Sequence, residues 1–513
     1  MFGAAVRLEH LLSILSLPLA SLAQNSSYSL ENPSGFPPCD ALVSAGFSNR
    51  ILTAASDEYE PRIQSWPSTN GRYHPWCLFQ PQTTQELSIG ISALHKAGDG
   101  AGDWHIAVRS GGHSYPGSNN VDKGVTIDLG HMNGSWSNAE RNVASIQPGG
   151  HWRDVYANLL DKYNVTVTGG RDGDVGVGGF LLGGGISYYT GENGFGCDTV
   201  LNYEVVLANG TIVQANVDEN SDLFKALKGG GPNFGIVTRF DLEAMPAVNL
   251  AYGQSVILSN YSNDIIDNLI EFTDNAADRP HDHLITLYMH IPTTEGVTVL
   301  SIRTNTEDNM NTTAFDRVNK IPALQSSWES MSLADAANAS QLQAGYKSSS
   351  ATLTFLSSPT LLRHAAALHD NLVSSLTSRI GAKNFISSMI LQAMPTSYSR
   401  IGQQKGGNVM GMDHIGSNGI MWTGGVGVTG DDATFAIAET AFLSMTATLE
   451  DFAAKEGLLA DFKYMNYAHP AQDVLASYGT DNLSFMKKVA AMYDPEGFWQ
   501  YRVPGGFKLS RTG

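Results

Sequence analysis

The sequence predicts an α+β protein in which two sheet-containing regions follow each other along the chain. From about residue 76 to 240, short strand-like runs are separated by glycine clusters, a pattern typical of strands bounded by turns. From about 249 to 461, longer helical patterns alternate with further strand candidates. We therefore expect a second layer of sheet with its own helices after the first.

The first region combines predicted strands with two predicted helices. The strand candidates are HIAVRS, GVTIDL, NVASIQP, LNYEVVLANGTIVQA and FGIVTRFDL. The segment HWRDVYANLLDKYN has helical spacing, which places Val155, Leu159 and Leu160 on one face. The segment SDLFKALKGGG predicts a short helix with Ser221 as its N-cap and Gly229 as its stop.

The second region contains longer predicted elements. Helices are expected in NDIIDNLIEFTDNAA and LLRHAAALHDNLVSSLTSRI, and strands in HLITLYMHIP, GVTVLSIRT and GIMWTGGVGV. From Phe462 the sequence becomes rich in aromatic and turn-forming residues. This last segment includes DPEGFWQYRVPGGFKL. The sequence has no internal repeat and no low-complexity linker.

Composition restricts the class of partner. The chain has 513 residues, of which 42% are hydrophobic and 16% charged, so packed cores in about two to four domains are expected. Its formal net charge of −18 repels nucleic acid and anionic membrane surfaces, and no basic run offsets this charge. We expect a small-molecule or glycan partner, no nucleic acid, no membrane, and a monomer.

The N-terminal 23 residues have the pattern of a secretory signal peptide. Arg7 supplies the positive start, Leu11 to Leu22 the apolar stretch, and SLA before Gln24 a cleavage site. No later apolar run reaches the roughly 18 residues of a membrane span. We therefore expect a secreted glycoprotein. Glycosylation sequons occur at Asn25, Asn133, Asn164, Asn209, Asn260, Asn311, Asn338 and Asn482.

The three cysteines suit an oxidising compartment, which favours pairing two of them. Cys39 and Cys77 both precede the main glycine clusters, and a bond between them would contribute about 3–4 kcal/mol on the chain-entropy model. Cys197 is then left as a buried small hydrophobe. No CxxC or HxxxH spacing is present, so no metal site is predicted.

Three glycine-rich segments predict close backbone approach to a large cofactor. They are AVRSGGHSYPG, TGGRDGDVGVGGFLLGGGISYYTGENGFGCD and KGGGPNFGIV. The second segment is not a Walker loop, because no GK[ST] follows, and it fails the spacing of a dinucleotide fingerprint. Each segment alone could be an ordinary turn or core crossing, but three together favour a bound cofactor.

Five blocks of the sequence resemble the berberine-bridge-enzyme-like flavoproteins, which are FAD-linked oxidases of the vanillyl-alcohol-oxidase or PCMH-type superfamily. The blocks are AVRSGGHSYPG, IQPGGHWRDVYANL, GGRDGDVGVGGFLLGGGIS, LFKALKGGGPNFGIVTRF and YMNYAHP with the closing DPEGFWQ and VPGGFKL. They run in the family order from Cys77 to the C-terminus, and the last block looks most like the fungal branch.

This resemblance implies a fold and a set of domain boundaries. An FAD-binding domain of two α+β subdomains is expected at 24–245, with its core at about 73–245. A substrate domain with an antiparallel sheet covered by helices is expected at 246–461. The final segment, 462–513, would return to the FAD domain.

The resemblance also implies how FAD is held. His113 would carry FAD through a covalent bond from its ring to the flavin 8-methyl carbon. Relatives with a second link use a cysteine at the position of Asp172, so FAD is expected to be attached through His113 only. This departure weakens the case for a doubly linked oligosaccharide oxidase. The other implied cofactor-binding residues are Arg109, Ser110, Gly111, Gly112, Ser114, Val175, Gly176, Gly179, Gly183, Gly235, Ile236, Val237 and Asn466.

The implied reaction is a two-electron oxidation. A substrate hydride goes to flavin N5, a base removes a proton, and the reduced flavin passes electrons to O₂ to give hydrogen peroxide. In relatives the residue at the Val175 position lies near the oxygen-reactive carbon of the flavin, and a small valine there is similar to the oxidases. Oxidase is therefore favoured over dehydrogenase.

The catalytic base is expected in the segment YMNY. Alternation along a strand would turn Tyr464 and Asn466 to one face, and Met465 and Tyr467 to the other. The resemblance favours Tyr467 as the tyrosine that faces the flavin, while a core tyrosine is the structural alternative. An ordinary tyrosine pKa of about 10 is too high for a base at neutral pH, so a neighbouring cation or a relay is required.

Three functional hypotheses follow. The first is an oxidase of a secondary metabolite such as an alkaloid or polyketide. The second is an extracellular carbohydrate oxidase that forms a lactone. The third is a non-redox cyclase or binding protein with a structural flavin. Secretion and glycosylation favour the second hypothesis, and Asp172 in place of cysteine favours the first.

Overall fold

The computed structural model describes residues 34–97, 102–138, 140 and 142–512. The expected signal peptide at 1–23 and the sequon at Asn25 lie outside these residues. Among the described helices, none combines the length and the hydrophobicity needed to cross a bilayer.

The first layer is a four-stranded mixed sheet in the order β1-β2-β4-β3. Pairing of β2 with β4 and of β3 with β4 is parallel. Helix α3 begins after Thr83, whose side chain accepts from the Glu86 N–H, and it buries Leu87, Ile91 and Leu94. The elements are α1 (Pro37–Ser44), β1 (Ile51–Leu52), α2 (Tyr59–Gln64), β2 (Cys77–Phe79), α3 (Thr84–Lys96), β3 (His105–Arg109) and β4 (Gly124–Asp128).

The second layer is a five-stranded antiparallel sheet in the order β5-β6-β10-β8-β9. Helix α4 ends where Asn164 takes a left-handed conformation, with φ of 53°. The elements are β5 (Ser135–Asn138), β6 (Val143–Ile146), α4 (Trp152–Tyr163), β7 (Val165–Thr166), α5 (Val177–Leu182), α6 (Thr190–Asn193), β8 (Val200–Val206), β9 (Ile212–Asn216), α7 (Ser221–Leu227), β10 (Ile236–Glu243) and β11 (Met245–Pro246).

The third layer is a nine-stranded sheet in the order β15-β12-β14-β13-β18-β19-β17-β20, with β16 also paired to β12. All of these pairings are antiparallel. The strands are β12 (Leu250–Leu258), β13 (Asp282–His290), β14 (Thr298–Asn305), β15 (Ala323–Ser326), β16 (Glu329–Met331), β17 (Lys347–Leu356), β18 (Phe385–Met394), β19 (Gly419–Val428) and β20 (Leu459–Ala460). The helices are α8 (Ser262–Asp274), α9 (Leu333–Ala339), α10 (Pro359–Ile380), α11 (Thr396–Gln404) and α12 (Asp432–Lys455).

The C-terminal segment packs back onto the first layer. It carries α13 (Thr480–Tyr493) and α14 (Phe498–Tyr501). Phe498, Trp499 and Val503 are buried in the core of the four-stranded sheet. The Ile106 N–H on β3 donates to the Arg502 carbonyl at 2.6 Å. The segment around Arg502 therefore lies beside the strand that leads into the His113 loop.

The α+β class with an antiparallel, helix-covered second region is confirmed. The prediction that Ser221 is the N-cap of α7 is wrong, because Asn220, in a left-handed conformation, precedes α7 and Ser221 is its first helical residue. Cys39 and Cys77 form a disulfide, and Cys197 is a buried free thiol. Of the sequon asparagines within the described residues, Asn482 is partly buried and the others are exposed.

Candidate functional site

The His113 loop follows β3 and is held by a close contact between two backbones. A Cβ on Gly111 would lie 2.5 Å from the Gly176 nitrogen, and one on Gly176 would lie 2.2 Å from the Gly111 nitrogen. Neither position can carry a side chain without moving the backbone. Gly112 has φ of +82°, a conformation that favours glycine. The glycines therefore fix the loop that presents His113.

The Arg109 and Ser110 side chains serve the protein framework. Arg109 lies 3.5 Å from the Trp66 ring centroid, and its Nη2 donates to the Ser65 carbonyl at 3.1 Å. Burial lowers the Arg109 pKa to about 9. The Ser110 hydroxyl donates to the Pro148 carbonyl and accepts from the Gly178 N–H. The Ser110 side chain is therefore fully used by the protein, whereas Arg109 keeps one buried donor, Nε, without a hydrogen-bond partner among the described residues.

His113 carries a buried nitrogen that has no hydrogen-bond partner among the described residues, namely Nε2. Burial lowers the His113 pKa, and the nearby Asp172 partly opposes that shift. The imidazole is therefore held in its neutral, nucleophilic form at neutral pH. The next residue, Ser114, is exposed, and so is Gly179 in α5. These two residues are neighbours, because a Cβ on Gly179 would lie 3.7 Å from Ser114 Oγ. An unpaired ring nitrogen beside open glycine backbone fits a covalently held flavin.

Asp172 is anchored by two backbone donors. Its Oδ1 accepts from the Asp174 N–H at 2.9 Å, and its Oδ2 accepts from the Leu342 N–H at 3.0 Å. Burial raises the Asp172 pKa. The carboxyl group thus ties the glycine-rich loop to the segment after α9.

The remaining predicted cofactor residues lie in two places, one around α5 and the other at the start of β10. The Val175 carbonyl accepts from the Trp152 N–H, and Gly176 precedes the first turn of α5. Gly183 lies directly against the Asn466 amide, whose Nδ2 donates to the Phe180 carbonyl at 3.0 Å. These contacts bring α5 and the segment around Asn466 to one place.

Gly235, Ile236 and Val237 lie elsewhere, at the junction of the first two sheets. Ile236 and Val237 pair with Val206 and Val205 of β8. Ile236 is buried in the core of the four-stranded sheet, and Val237 in the core that borders the nine-stranded sheet. Their side chains are structural, and their backbone lies where two layers meet.

The segment from Tyr464 to Tyr467 is a turn, so the prediction of strand alternation is wrong. The Tyr467 N–H donates to the Tyr464 carbonyl at 3.1 Å, which closes the turn. The two rings are in edge contact, with centroids 4.9 Å apart. The direction of each side chain therefore follows from its own partners and not from strand pleating.

Tyr464 is a core residue. It is 1% exposed, and its hydroxyl accepts from the Gly185 and Ile186 N–H groups and from Asn466 Nδ2. Burial raises the Tyr464 pKa, so the hydroxyl stays protonated at neutral pH. Among the predicted base candidates, this residue is therefore the structural one.

Tyr467 is partly buried, and its hydroxyl accepts from Arg171 Nη2 at 3.0 Å. Arg171 Nη1 also lies 2.8 Å from His283 Nε2. Because a guanidinium can only donate, His283 Nε2 is the acceptor. Burial and the Arg171 charge lower the His283 pKa well below its usual value, so this imidazole is neutral.

Sequence reasoning missed Arg171 and His283. Arg171 stands inside the glycine-rich block GGRDGDVGVGG, in which the resemblance gives roles to the glycines, Asp172 and Val175 but none to the arginine. His283 opens the strand HLITLYMHIP, where a polar residue in an apolar run could have drawn attention. Together these contacts place the Arg171 cation beside the Tyr467 hydroxyl.

Comparison with known proteins agrees with this geometry. A family model described as "FAD binding domain" matches residues 75–216. The FAD-dependent monooxygenase sdcF of Emericella nidulans is 31% identical over 480 residues, which cover 92% of this chain and 98% of that protein. The FAD-dependent monooxygenase drtC of Aspergillus calidoustus is 31% identical over 481 residues, covering 92% and 90%.

Solved structures share the fold. The xylooligosaccharide oxidase from Myceliophthora thermophila C1, in complex with xylobiose, has a TM-score of 0.73 at 20% identity, and the match covers 92% of this chain and 99% of that one. The 6-hydroxy-D-nicotine oxidase from Arthrobacter nicotinovorans has a TM-score of 0.70 at 17% identity, covering 90% and 97%.

Proposed function

The chain belongs to the berberine-bridge-enzyme-like, PCMH-type family of FAD-linked oxidoreductases, and we propose that it is an oxidase of a small organic molecule. Residues 24–245 with 462–513 would hold FAD, and residues 246–461 would bind the substrate. The signal-like N-terminus, the Cys39–Cys77 disulfide and the exposed sequons support secretion.

FAD would be attached through His113 alone. The buried, unpaired Nε2 of His113 and the carboxyl group at Asp172 support a single covalent link. The loop Arg109–Ser114 would present its backbone N–H groups to the pyrophosphate. When bound, FAD accepts a hydride from the substrate and passes two electrons to O₂.

The hydrogen bond from Arg171 to Tyr467 is the observation that carries the proposal. A guanidinium that donates to a phenol oxygen stabilises the negative charge on that oxygen when the proton is absent. Tyr467 can then accept the proton of a substrate hydroxyl or amine. His283 holds Arg171 in place, because its neutral Nε2 accepts the second guanidinium hydrogen bond.

The reaction balances without a further reductant. The substrate loses a hydride from carbon and a proton from oxygen or nitrogen, and a C=O or C=N bond forms. O₂ receives the two electrons and two protons, which gives one H₂O₂ for each substrate oxidised. The partly buried Val175, a small side chain at the end of the glycine-rich loop, supports access of O₂.

A second candidate is oxygen insertion, because sdcF and drtC carry the name monooxygenase. In that reaction one oxygen atom enters the product and the other leaves as water, which requires a further two electrons from a reductant such as NADPH.

A peroxide screen separates these candidates. The purified holoenzyme is supplied with sugars and with apolar alcohols under air, and H₂O₂ is measured against product. The proposal expects a ratio of one, no use of NADPH, and no label from ¹⁸O₂ in the product. Labelled product with consumption of NADPH would instead establish oxygen insertion.

A further inference from the structure

The nine-stranded sheet presents two different faces. Along β13, Leu284 and Tyr288 pack in the core shared with the helices α8, α10 and α12, whereas Ile285 and Leu287 pack in the core shared with α5 and the Tyr464 turn. Alternation applies because each strand is regular and antiparallel. We call the face that carries Ile285 and Leu287 the inner face.

Aliphatic side chains dominate the middle of the inner face. Leu287 pairs with Leu300 on one side and with Ile390 on the other. Ile285 pairs with Ile302 in the next row. Leu300 and Ile390 are only partly buried although they lie on central strands, so they border open space. This strip can pack against a carbon frame but cannot satisfy many hydroxyl groups.

Polar side chains lie beside this aliphatic strip on the same face, among them His283, Thr352 and Thr354. Two others, Gln392 and Thr423, pair directly with Ile285 and Ile390 of the strip. Gln392 is 2% exposed and Thr423 is 6% exposed. Gln392 Oε1 and Thr423 Oγ1 are buried and have no hydrogen-bond partner among the described side chains and backbone groups. Gln392 pairs with Met421, and Thr423 pairs with Ile390, so the two residues are diagonal neighbours on adjacent strands.

The proposed catalytic base is linked through Arg171 to the same face of the sheet. Arg171, which donates to Tyr467, also donates to His283 on the inner face of β13. His283 lies two residues before Ile285 on this strand, and Ile285 pairs with Gln392. From the other side, Gln472 accepts from the Thr352 N–H and donates to its carbonyl. Thr352 is the strand partner of Thr423. The segment that carries Tyr467 is therefore tied to β13 through Arg171 and to β17 through Gln472, and Gln392 and Thr423 lie on β18 and β19, the two strands between these ties.

We propose that Gln392 and Thr423 bind the hydrogen-bonding group of a hydrophobic alcohol, whose carbon frame packs on Ile285, Leu287 and Ile390. This assignment rests on the proposed function, because it places the alcohol beside Tyr467. A buried polar group without a partner is costly, and a ligand hydroxyl that both donates and accepts would satisfy the Gln392 carboxamide and the Thr423 hydroxyl together. A sugar fits this strip less well, because hydroxyls that lie over Leu287, Leu300 and Ile390 would be buried against aliphatic carbon.

The test uses the holoenzyme with cinnamyl alcohol and geraniol as apolar probes and with cellobiose and xylobiose as sugar probes. Binding is measured anaerobically by tryptophan fluorescence, and turnover by H₂O₂ release. The variants are Gln392→Met and Thr423→Val, which keep side-chain volume. Thr166→Val is the matched control, because Thr166 on β7 is also buried with an unpaired hydroxyl but lies away from the inner face.

The expected result is binding of an apolar probe, with affinity reduced roughly 10-fold in each inner-face variant and unchanged in Thr166→Val. Where turnover occurs, KM should rise while the maximal rate of flavin reduction changes little. Tighter binding of the sugars, no binding of either alcohol, or equal affinity in all variants overturns the inference. Binding with these variant effects but without peroxide would support the inference and contradict only the proposed function.

Discussion

Arg171 Nη2 donates a hydrogen bond of 3.0 Å to the hydroxyl of Tyr467, although the two residues are 296 positions apart in the chain. The same guanidinium donates to His283 Nε2 at 2.8 Å. The Arg171 cation is thereby held beside Tyr467, whose ring is in edge contact with the ring of Tyr464. The neighbouring Tyr464 instead bonds to backbone N–H groups and to Asn466, so the two hydroxyls have different chemistry.

Replacing Tyr467 by Phe should slow proton removal while leaving the fold and the flavin in place. The ring keeps its contacts, and only the hydroxyl bonded to Arg171 is lost. Loss of a general base typically lowers the rate about 10²–10⁴-fold. The measurement is anaerobic flavin reduction by substrate in stopped flow, and reoxidation by O₂ should be unchanged. Unchanged reduction in Tyr467→Phe would remove this residue from the mechanism.

Tyr464→Phe should act on stability and not on the chemical step. It would leave the buried Gly185 and Ile186 N–H groups without their acceptor, at a cost of about 1–3 kcal/mol for each group. The melting temperature should fall, and flavin reduction in the remaining folded enzyme should stay near the wild-type rate. If reduction slows as much as in Tyr467→Phe, the assignment of the two tyrosines is wrong.

Removing the Arg171 guanidinium should slow flavin reduction by the substrate. In Arg171→Met the Tyr467 hydroxyl loses the donor that holds it, so the anaerobic rate of flavin reduction should fall about 10-fold or more. His283→Gln keeps an acceptor for Arg171 and should show a small effect, whereas His283→Phe should approach Arg171→Met. Wild-type rates of flavin reduction in all three variants would show that the contact is only structural.

The His113 assignment predicts that the flavin stays with the protein after acid precipitation. His113→Ala should release the flavin to the supernatant, because the proposed link to its ring would be lost. Cys197→Ser is the control, since Cys197 is buried and its thiol pKa is raised by burial, so no thiolate is available for a second link. Release of flavin from the wild-type protein would disprove the covalent link.

The Cys39–Cys77 bond closes a loop with a sequence separation of 38 and should stabilise the N-terminal layer by about 3–4 kcal/mol on the chain-entropy model. Cys39→Ser/Cys77→Ser should therefore lower the melting temperature. Mass spectrometry of a non-reduced digest should find the peptide that joins these two residues. A bridge that contains Cys197 would contradict the pairing.

His369 on α10 should make the protein less stable in acid. Burial lowers its pKa from 6.5 in the unfolded chain to about 4 in the fold. Between these two values only the unfolded chain binds the proton, so the free energy of unfolding falls as pH drops through this range, by about 3 kcal/mol in total. His369→Gln should reduce this acid sensitivity in denaturant titrations from pH 7 to 4.

A matched control for the acid prediction is His364→Gln, on the same helix at a partly exposed position. This variant accounts for the loss of an imidazole from α10. Equal pH dependence of unfolding in wild type and His369→Gln would count against the buried neutral histidine.

Local sequence pattern predicted most of the strands and helices and the loops around His113. Glycine pairs identify backbone that must pack closely, as Gly111 and Gly176 do. The pattern failed at Tyr464–Tyr467, where the spacing of two tyrosines is compatible with a strand and with a turn. The contact that closes this turn decided between them.

The sequence by itself determined the family and its FAD cofactor, because ordered glycine blocks constrain the backbone locally, and it proposed His113 as the residue that carries FAD. Only the tertiary structure decided which polar groups meet. Arg171 and His283 lie 112 positions apart, and Gln392 and Thr423 belong to separate strands of one sheet. Such contacts arise from the docking of whole layers, whose hydrophobic faces specify burial but not the pairing of individual side chains.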